Sequence, residues 1–126
     1  MVSFLRSRVN SFFYAFSGWW YVLRTQKNAW IHATASICVF GLAFWLQIPP
    51  RDWAMLILTI SSVWTAEFIN TAFESLVDLS TPGHHPLAKT GKDVSAAAVL
   101  ITACASVLIG LLLLGPPLWL KIATLP

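Results

Sequence analysis

Apolar positions recur with a helical period at the start of this 126-residue chain, at Leu5, Val9, Phe12, Phe16, Trp19 and Leu23. Arg6, Asn10, Ser17 and Arg24 fall on other faces. Aromatic on one side and basic on the other, residues 4–24 predict an amphipathic helix, either lying in a membrane interface or packed against other helices. Gly18 interrupts the pattern and permits a bend or a close helix contact. The pattern then turns uniformly apolar. Residues 29–48 come close to the roughly 20 needed to cross the hydrocarbon. Pro49, Pro50, Arg51 and Asp52 predict a tight turn. A second span follows over 53–79, roughly 40 Å long at 1.5 Å per residue, so its C-terminal end should emerge from the hydrocarbon. Ser80, Thr81, Pro82 and Gly83 end it. A loop, HHPLAKTGKD, leads to a third span over 91–114 that is expected to stop at Gly115, Pro116 and Pro117.

Composition agrees with lipid as the solvent. Hydrophobic residues make up 57% of the chain and charged residues 10%, where a soluble domain carries about 25%. Mean hydropathy is +0.71. The fold class is therefore an all-α membrane protein, a single domain over 1–126 with one surface helix and three spans. Cys38 and Cys104 lack a second Cys or a nearby His and are expected to be small buried hydrophobes. The N-terminus does not have the form of a secretory signal. Arg6, Arg8, Arg24, Lys27, Lys89 and Lys92 flank one side of the spans; only Arg51 and Lys121 flank the other. That bias predicts a cytoplasmic N-terminus and a cytoplasmic 84–93 loop.

Against this background one segment stands apart: EFINTAFESLVD, residues 67–78. Glu67, Asn70, Glu74 and Asp78 are spaced by 3, 4 and 4 and share one helical stripe. Glu67 and Glu74 lie roughly 11 Å apart along the axis. Four of the five acidic residues fall between Glu67 and Asp93. A carboxylate within a span costs a few kcal/mol and signals function by default. Asp78 also reads as a solvated residue at a helix end, and Asp93, three after Thr90, as half of a capping box. Glu67 has no such alternative, since no Arg or Lys lies one turn away. Two carboxylates, an Asn and Lys92 at a membrane–water boundary suit a Mg²⁺–phosphate site, because Mg²⁺ is held by one or two carboxylates plus phosphates. Glu67 is placed to take a proton from a lipid hydroxyl, and phosphoryl transfer asks mainly for positioning and charge neutralisation. TGKD is not a P-loop: Pro86 stands where the first Gly would be, and no protein-kinase signature is present. An intramembrane acidic stripe equally suits an ion or proton transport subunit, although this one reaches only one side of the membrane.

EFINTAFESLVD, followed by HPLAKTGKD and an apolar helix, closely resembles the small integral-membrane lipid kinases of bacteria, the family of diacylglycerol kinase and undecaprenol kinase. SFFYAFSG and TQKNAWIH extend the resemblance over most of the chain. It implies a homotrimer in the bacterial cytoplasmic membrane that transfers phosphate from ATP–Mg²⁺ to a lipid alcohol, in sites shared between neighbouring chains. By the same resemblance Glu67 is the catalytic base, Asn70 lies at the reacting centre, and Glu74 binds metal and nucleotide. Tyr14, Gly83, His84, His85, Lys92 and Asp93 match nucleotide-binding positions. Many members have a second metal-ligating Glu where this chain has Gln26. The substitution implies weaker Mg²⁺ binding, resting either on Glu74 and the phosphates or on another carboxylate such as Asp93. Asn28 and His32, one turn apart beside Gln26, also fit the family's pattern but read first as local helix-end hydrogen bonding.

Overall fold

A computed structural model describes residues 2–124; the side chains of residues 2–5, Leu5 of the predicted apolar face among them, lie outside the described ones. Four helices follow one another: α1 (Val2–Thr25), α2 (Lys27–Leu46), α3 (Pro50–Ser80) and α4 (Pro86–Ala123). The described residues contain no strand. Helices α2, α3 and α4 are each long and apolar enough to cross a membrane.

The helix ends explain where the chain turns. Gln47 caps α2 in the left-handed region (φ 54°), its N–H bonding back to Ala43 and Phe44 carbonyls. The turn is therefore Gln47–Ile48–Pro49, not the expected Pro49–Asp52. Pro50 opens α3 at its first position, where its missing N–H costs nothing. Asp52 sits in that first turn, where a carboxylate complements the helix dipole. The end of α3 falls at Ser80, inside the expected stop.

Two further boundaries differ from expectation. Helix α4 starts at Pro86, capped by His85, whose ring accepts from the Leu87 N–H at 3.2 Å. Thr90 and Asp93 are thus already inside the helix and form no capping box: Thr90 donates to the Pro86 carbonyl and Asp93 accepts from Lys89. At the other end α4 runs through Pro116 and Pro117 to Ala123. Two prolines remove backbone donors without ending a helix when neighbouring packing holds it, a tolerance common in membrane helices. Leu118 packs on the core cluster beyond the prolines. One turn on, the Lys121 ammonium donates to the Trp45 carbonyl at 2.8 Å and lies 4.8 Å from the Trp45 ring.

The closest pairing is α3 against α4, with α2 laid across both. Gly91 permits part of it: a Cβ there would meet the Phe73 ring at 3.2 Å. One core cluster gathers Ala43, Leu46, Ile48, Leu56 and Leu114 near the α2–α3 turn. A second joins Val22, Ala29 and Trp64 at the opposite end. Ala29 and Ala43 are fully buried, small residues where helices approach closely. Helix α1 joins the bundle by its C-terminal end. Trp19 packs on Trp64 and Phe68, with ring centroids 4.7 and 4.8 Å apart, while Phe12, Phe13 and Phe16 stay exposed. Cys38 and Cys104 are exposed rather than buried. In a chain of this composition an outward face is apolar too, so hydrophobicity alone does not send a residue inward.

Leu56, 2% exposed, is the most deeply buried of the large apolar side chains in the first cluster. Leu56→Ala should therefore lower stability by about 2–4 kcal/mol, read as a shift of the denaturation midpoint in detergent micelles.

Candidate functional site

The end of α1, the start of α2, the second half of α3 and the start of α4 meet at one end of the bundle. The acidic stripe of α3 faces into that junction. Glu67 is 1% exposed, Asn70 7% and Thr71 3%. The Thr71 hydroxyl donates to the Glu67 carbonyl at 2.8 Å, a local helix bond that leaves the Glu67 carboxylate untouched. Neither carboxylate oxygen has a hydrogen-bond partner. Its nearest ionisable neighbour is His32 of α2, with Nε2 3.7 Å from Oε2.

One turn further along, the side chains bond to one another. Glu74 receives the Asn70 amide at 3.4 Å and, from the start of α2, the Gln26 amide at 3.3 Å. Gln26 precedes α2 without capping it through its side chain, which leaves the amide free to reach across. The Ser95 hydroxyl of α4 donates to Asn70 Oδ1 at 2.7 Å. Asn70 is therefore fixed from both sides, its oxygen toward Ser95 and its nitrogen toward Glu74. At the outer end Lys92 grips both oxygens of Asp78 at 2.8 and 3.0 Å. The Lys89 ammonium holds Asp93 at 2.7 Å. Both pairs are largely exposed, and such pairs exchange readily for other counter-charges.

The structure thus brings together Gln26, Glu67, Asn70, Glu74 and Lys92 along one line, with Asp78 at its exposed end. Asp93 faces Lys89 rather than Glu74. His85 serves as the cap of α4. Tyr14, Gly83 and His84 are exposed and lie outside this set of bonds. Two members were not among the expected site residues. Ser95 carries a signal in hindsight: it follows Lys92 by three and therefore shares its face. His32 does not perform the helix-end hydrogen bonding read for it. Its carbonyl accepts from Ser36, as any residue's would, while its ring points at Glu67.

Next to this polar line an apolar groove of about 460 Å³ runs between α2, α3 and α4. His32 and Trp64 stand at its head, Val39, Val63 and Gly110 along its walls, and Leu114 near its far end. The Trp64 indole N–H is satisfied by Ser36 at 3.3 Å, which keeps that wall dry.

Comparison with known proteins agrees with this architecture. A family model described as prokaryotic diacylglycerol kinase matches residues 13–114. Undecaprenol kinase of Bacillus subtilis (strain 168) is 39% identical over 117 residues, which is 90% of this chain and 95% of the relative. A diacylglycerol kinase of Synechocystis is 43% identical over 86% of this chain; the match spans only 62% of that longer protein. Diacylglycerol kinase of Escherichia coli (strain K12) is 30% identical over 75% of this chain and 83% of its own length. The chain belongs to the prokaryotic diacylglycerol kinase family.

Ser95→Ala removes the bond that fixes the Asn70 oxygen. It should cost about 1 kcal/mol of stability and also slow turnover, because Asn70 is then held by Glu74 alone. Comparing the unfolding midpoint with the rate of the same preparation checks both.

Proposed function

We propose that this chain is a lipid kinase that transfers the γ-phosphate of ATP to the hydroxyl of a membrane lipid alcohol, residues 1–126 acting as one domain. The observation that carries this reading is the Glu67 carboxylate. It is buried, without a hydrogen-bond partner, next to His32, which lines the head of an apolar groove, and at the inner end of a polar line that reaches the surface. A base that must meet an alcohol in a dry place, with phosphates arriving from water, needs that layout. The names of the relatives point the same way. Nothing among them favours the transport reading, and the polar line opens at one end only.

In this reading the hydrocarbon of the substrate lies in the groove and its hydroxyl meets Glu67. Glu67 accepts the proton as the alcohol oxygen bonds to the γ-phosphorus and the bond to the ADP oxygen breaks. Asn70, fixed by Ser95 and Glu74, presents an N–H beside the reacting centre. Lys92 exchanges Asp78 for nucleotide phosphate, with Asp93, His85 and the 83–84 turn around the nucleotide and Tyr14 approaching from α1.

A hard divalent cation has a limited but consistent set of oxygens here. Among the described residues no three His, Cys, Asp or Glu side chains converge as a metal site. Glu74 offers a carboxylate, and the Gln26 amide beside it presents its oxygen if turned about its last torsion. One carboxylate, one neutral oxygen and the substrate's phosphates suit Mg²⁺, which when bound would offset charge on the transferring phosphoryl group. Asp93 faces Lys89 rather than Glu74, which favours Glu74, Gln26 and the phosphates over Asp93 as the oxygens for the cation.

In this reading the protein sits in a bacterial inner membrane, and the charge bias of the flanking residues supports a cytoplasmic side for this end of the bundle and the N-terminus. The extensive outward apolar faces of α2 and α4 leave room for neighbouring copies, consistent with the homotrimer that the family resemblance implies. Of the two lipids, undecaprenol is favoured by the match that covers nearly the full length of both chains, with diacylglycerol second.

Phosphate transfer from labelled ATP in mixed micelles, with undecaprenol and diacylglycerol offered separately, tests the reading. Wild type should phosphorylate undecaprenol, and Glu67→Gln should fall by at least about 100-fold. Equal rates in the two proteins would rule Glu67 out as the base. Gln26→Glu supplies a second carboxylate next to Glu74. It should lower the Mg²⁺ concentration for half-maximal rate by about tenfold, measured as a Mg²⁺ titration at saturating ATP and lipid.

A further inference from the structure

Among the described residues, the buried side-chain atoms without hydrogen-bond partners are His32 Nε2 and both oxygens of Glu67. They form one pair, on facing helices, 3.7 Å apart. Leaving three polar atoms dry and unpaired is costly, and native proteins rarely do so without a use for them. A shift of about 1 Å would bring the pair to the roughly 2.7 Å of a charge-assisted hydrogen bond.

The lipid-kinase reading, on which this inference rests, creates a need that this pair meets. Once Glu67 has taken the proton of the alcohol, it must lose it before the next turnover. Its side chain is 1% exposed, so water does not collect the proton directly. Asn70 and Thr71, its buried polar neighbours in sequence, are not bases. His32 is: Nε2 is sealed against Glu67, while the side chain as a whole remains 15% exposed. The residue lies five positions into α2, about 7.5 Å of helix rise from Lys27 at the helix start.

We propose that His32 is the proton acceptor that resets Glu67 after each phosphoryl transfer. The neutral Glu67 carboxyl gives its proton to the lone pair of His32 Nε2, regenerating the carboxylate. The imidazolium then releases a proton from its other nitrogen to water at the interface. No oxidant, reductant or further reactant is required. His32 also stands at the head of the groove, so the same ring borders the lipid hydroxyl before transfer.

The test uses the full chain in mixed micelles, with the lipid alcohol that wild type accepts. His32→Gln keeps a polar side chain of similar length but cannot carry a proton onward. His32→Ala leaves room for added imidazole. Both variants should turn over about 100-fold more slowly than wild type, with KM for ATP changed by less than about twofold. Millimolar imidazole should restore a large part of the rate in His32→Ala and none in Glu67→Gln. Wild-type rate in a folded His32→Gln protein would overturn the proposal, because an amide spacer would then suffice. Loss of rate that imidazole does not restore would also overturn it, marking His32 as structural. If wild type phosphorylates no lipid alcohol, the lipid-kinase reading falls and this inference with it. An active wild type with unaffected His32 variants removes this inference alone.

Discussion

A carboxylate kept dry inside a helical bundle constrains everything packed around it. Glu67 has no Lys or Arg partner and no hydrogen bond, only the His32 ring 3.7 Å away, so most of its desolvation cost must be met by the rest of the fold. At that end of the bundle Val22, Ala29 and Trp64 pack tightly, and Trp19 brings the end of α1 onto Trp64 and Phe68. At the other end the cluster around Leu56 and Ala43, with the Lys121 clamp on Trp45, ties α2 to α3 and α4. A single cost is borne by two packed regions, and the polar line between Glu67 and Asp78 runs out from the first of them.

That line changes character along its length. At Glu67 the groups are buried and unpaired. From buried Asn70 to half-buried Glu74 they are bonded across three helices, through Gln26 and Ser95. At Asp78 and Lys92 they are exposed and merely paired. The order suits a reaction in which a lipid hydroxyl comes from a dry groove and phosphates from water, each meeting the kind of partner its own solvent would favour. In the middle Asn70 is held by two neighbours at once.

Much of this was legible from residue spacing. The stripe at 67, 70, 74 and 78 fixes a common helix face, and the lack of a nearby cation in sequence marks Glu67. The three spans follow from three long apolar runs, and α1 from its helical period of apolar positions. Contacts across helices were not legible: nothing in the periodicity says that Gln26 reaches Glu74 or that His32 turns its ring toward Glu67. Boundaries failed where local rules were overridden by packing. Pro116 and Pro117 looked like a stop, yet Leu118 and Lys121 beyond them find partners on α2. Pro50 looked like part of a turn, yet its ring suits the first position of a helix. Cys38 and Cys104 failed for another reason, since apolar residues in lipid face outward as readily as inward.

The central claim is that a lipid hydroxyl occupies the space at Glu67. A lipid alcohol carrying a photoreactive diazirine next to its hydroxyl, activated in micelles with the full chain and mapped by mass spectrometry, tests this directly. The account predicts labelling at Glu67 and at its neighbours His32 and Trp64, suppressed by excess unlabelled lipid alcohol. Labelling confined to the outward faces of α2 and α4, unaffected by that competitor, would contradict it.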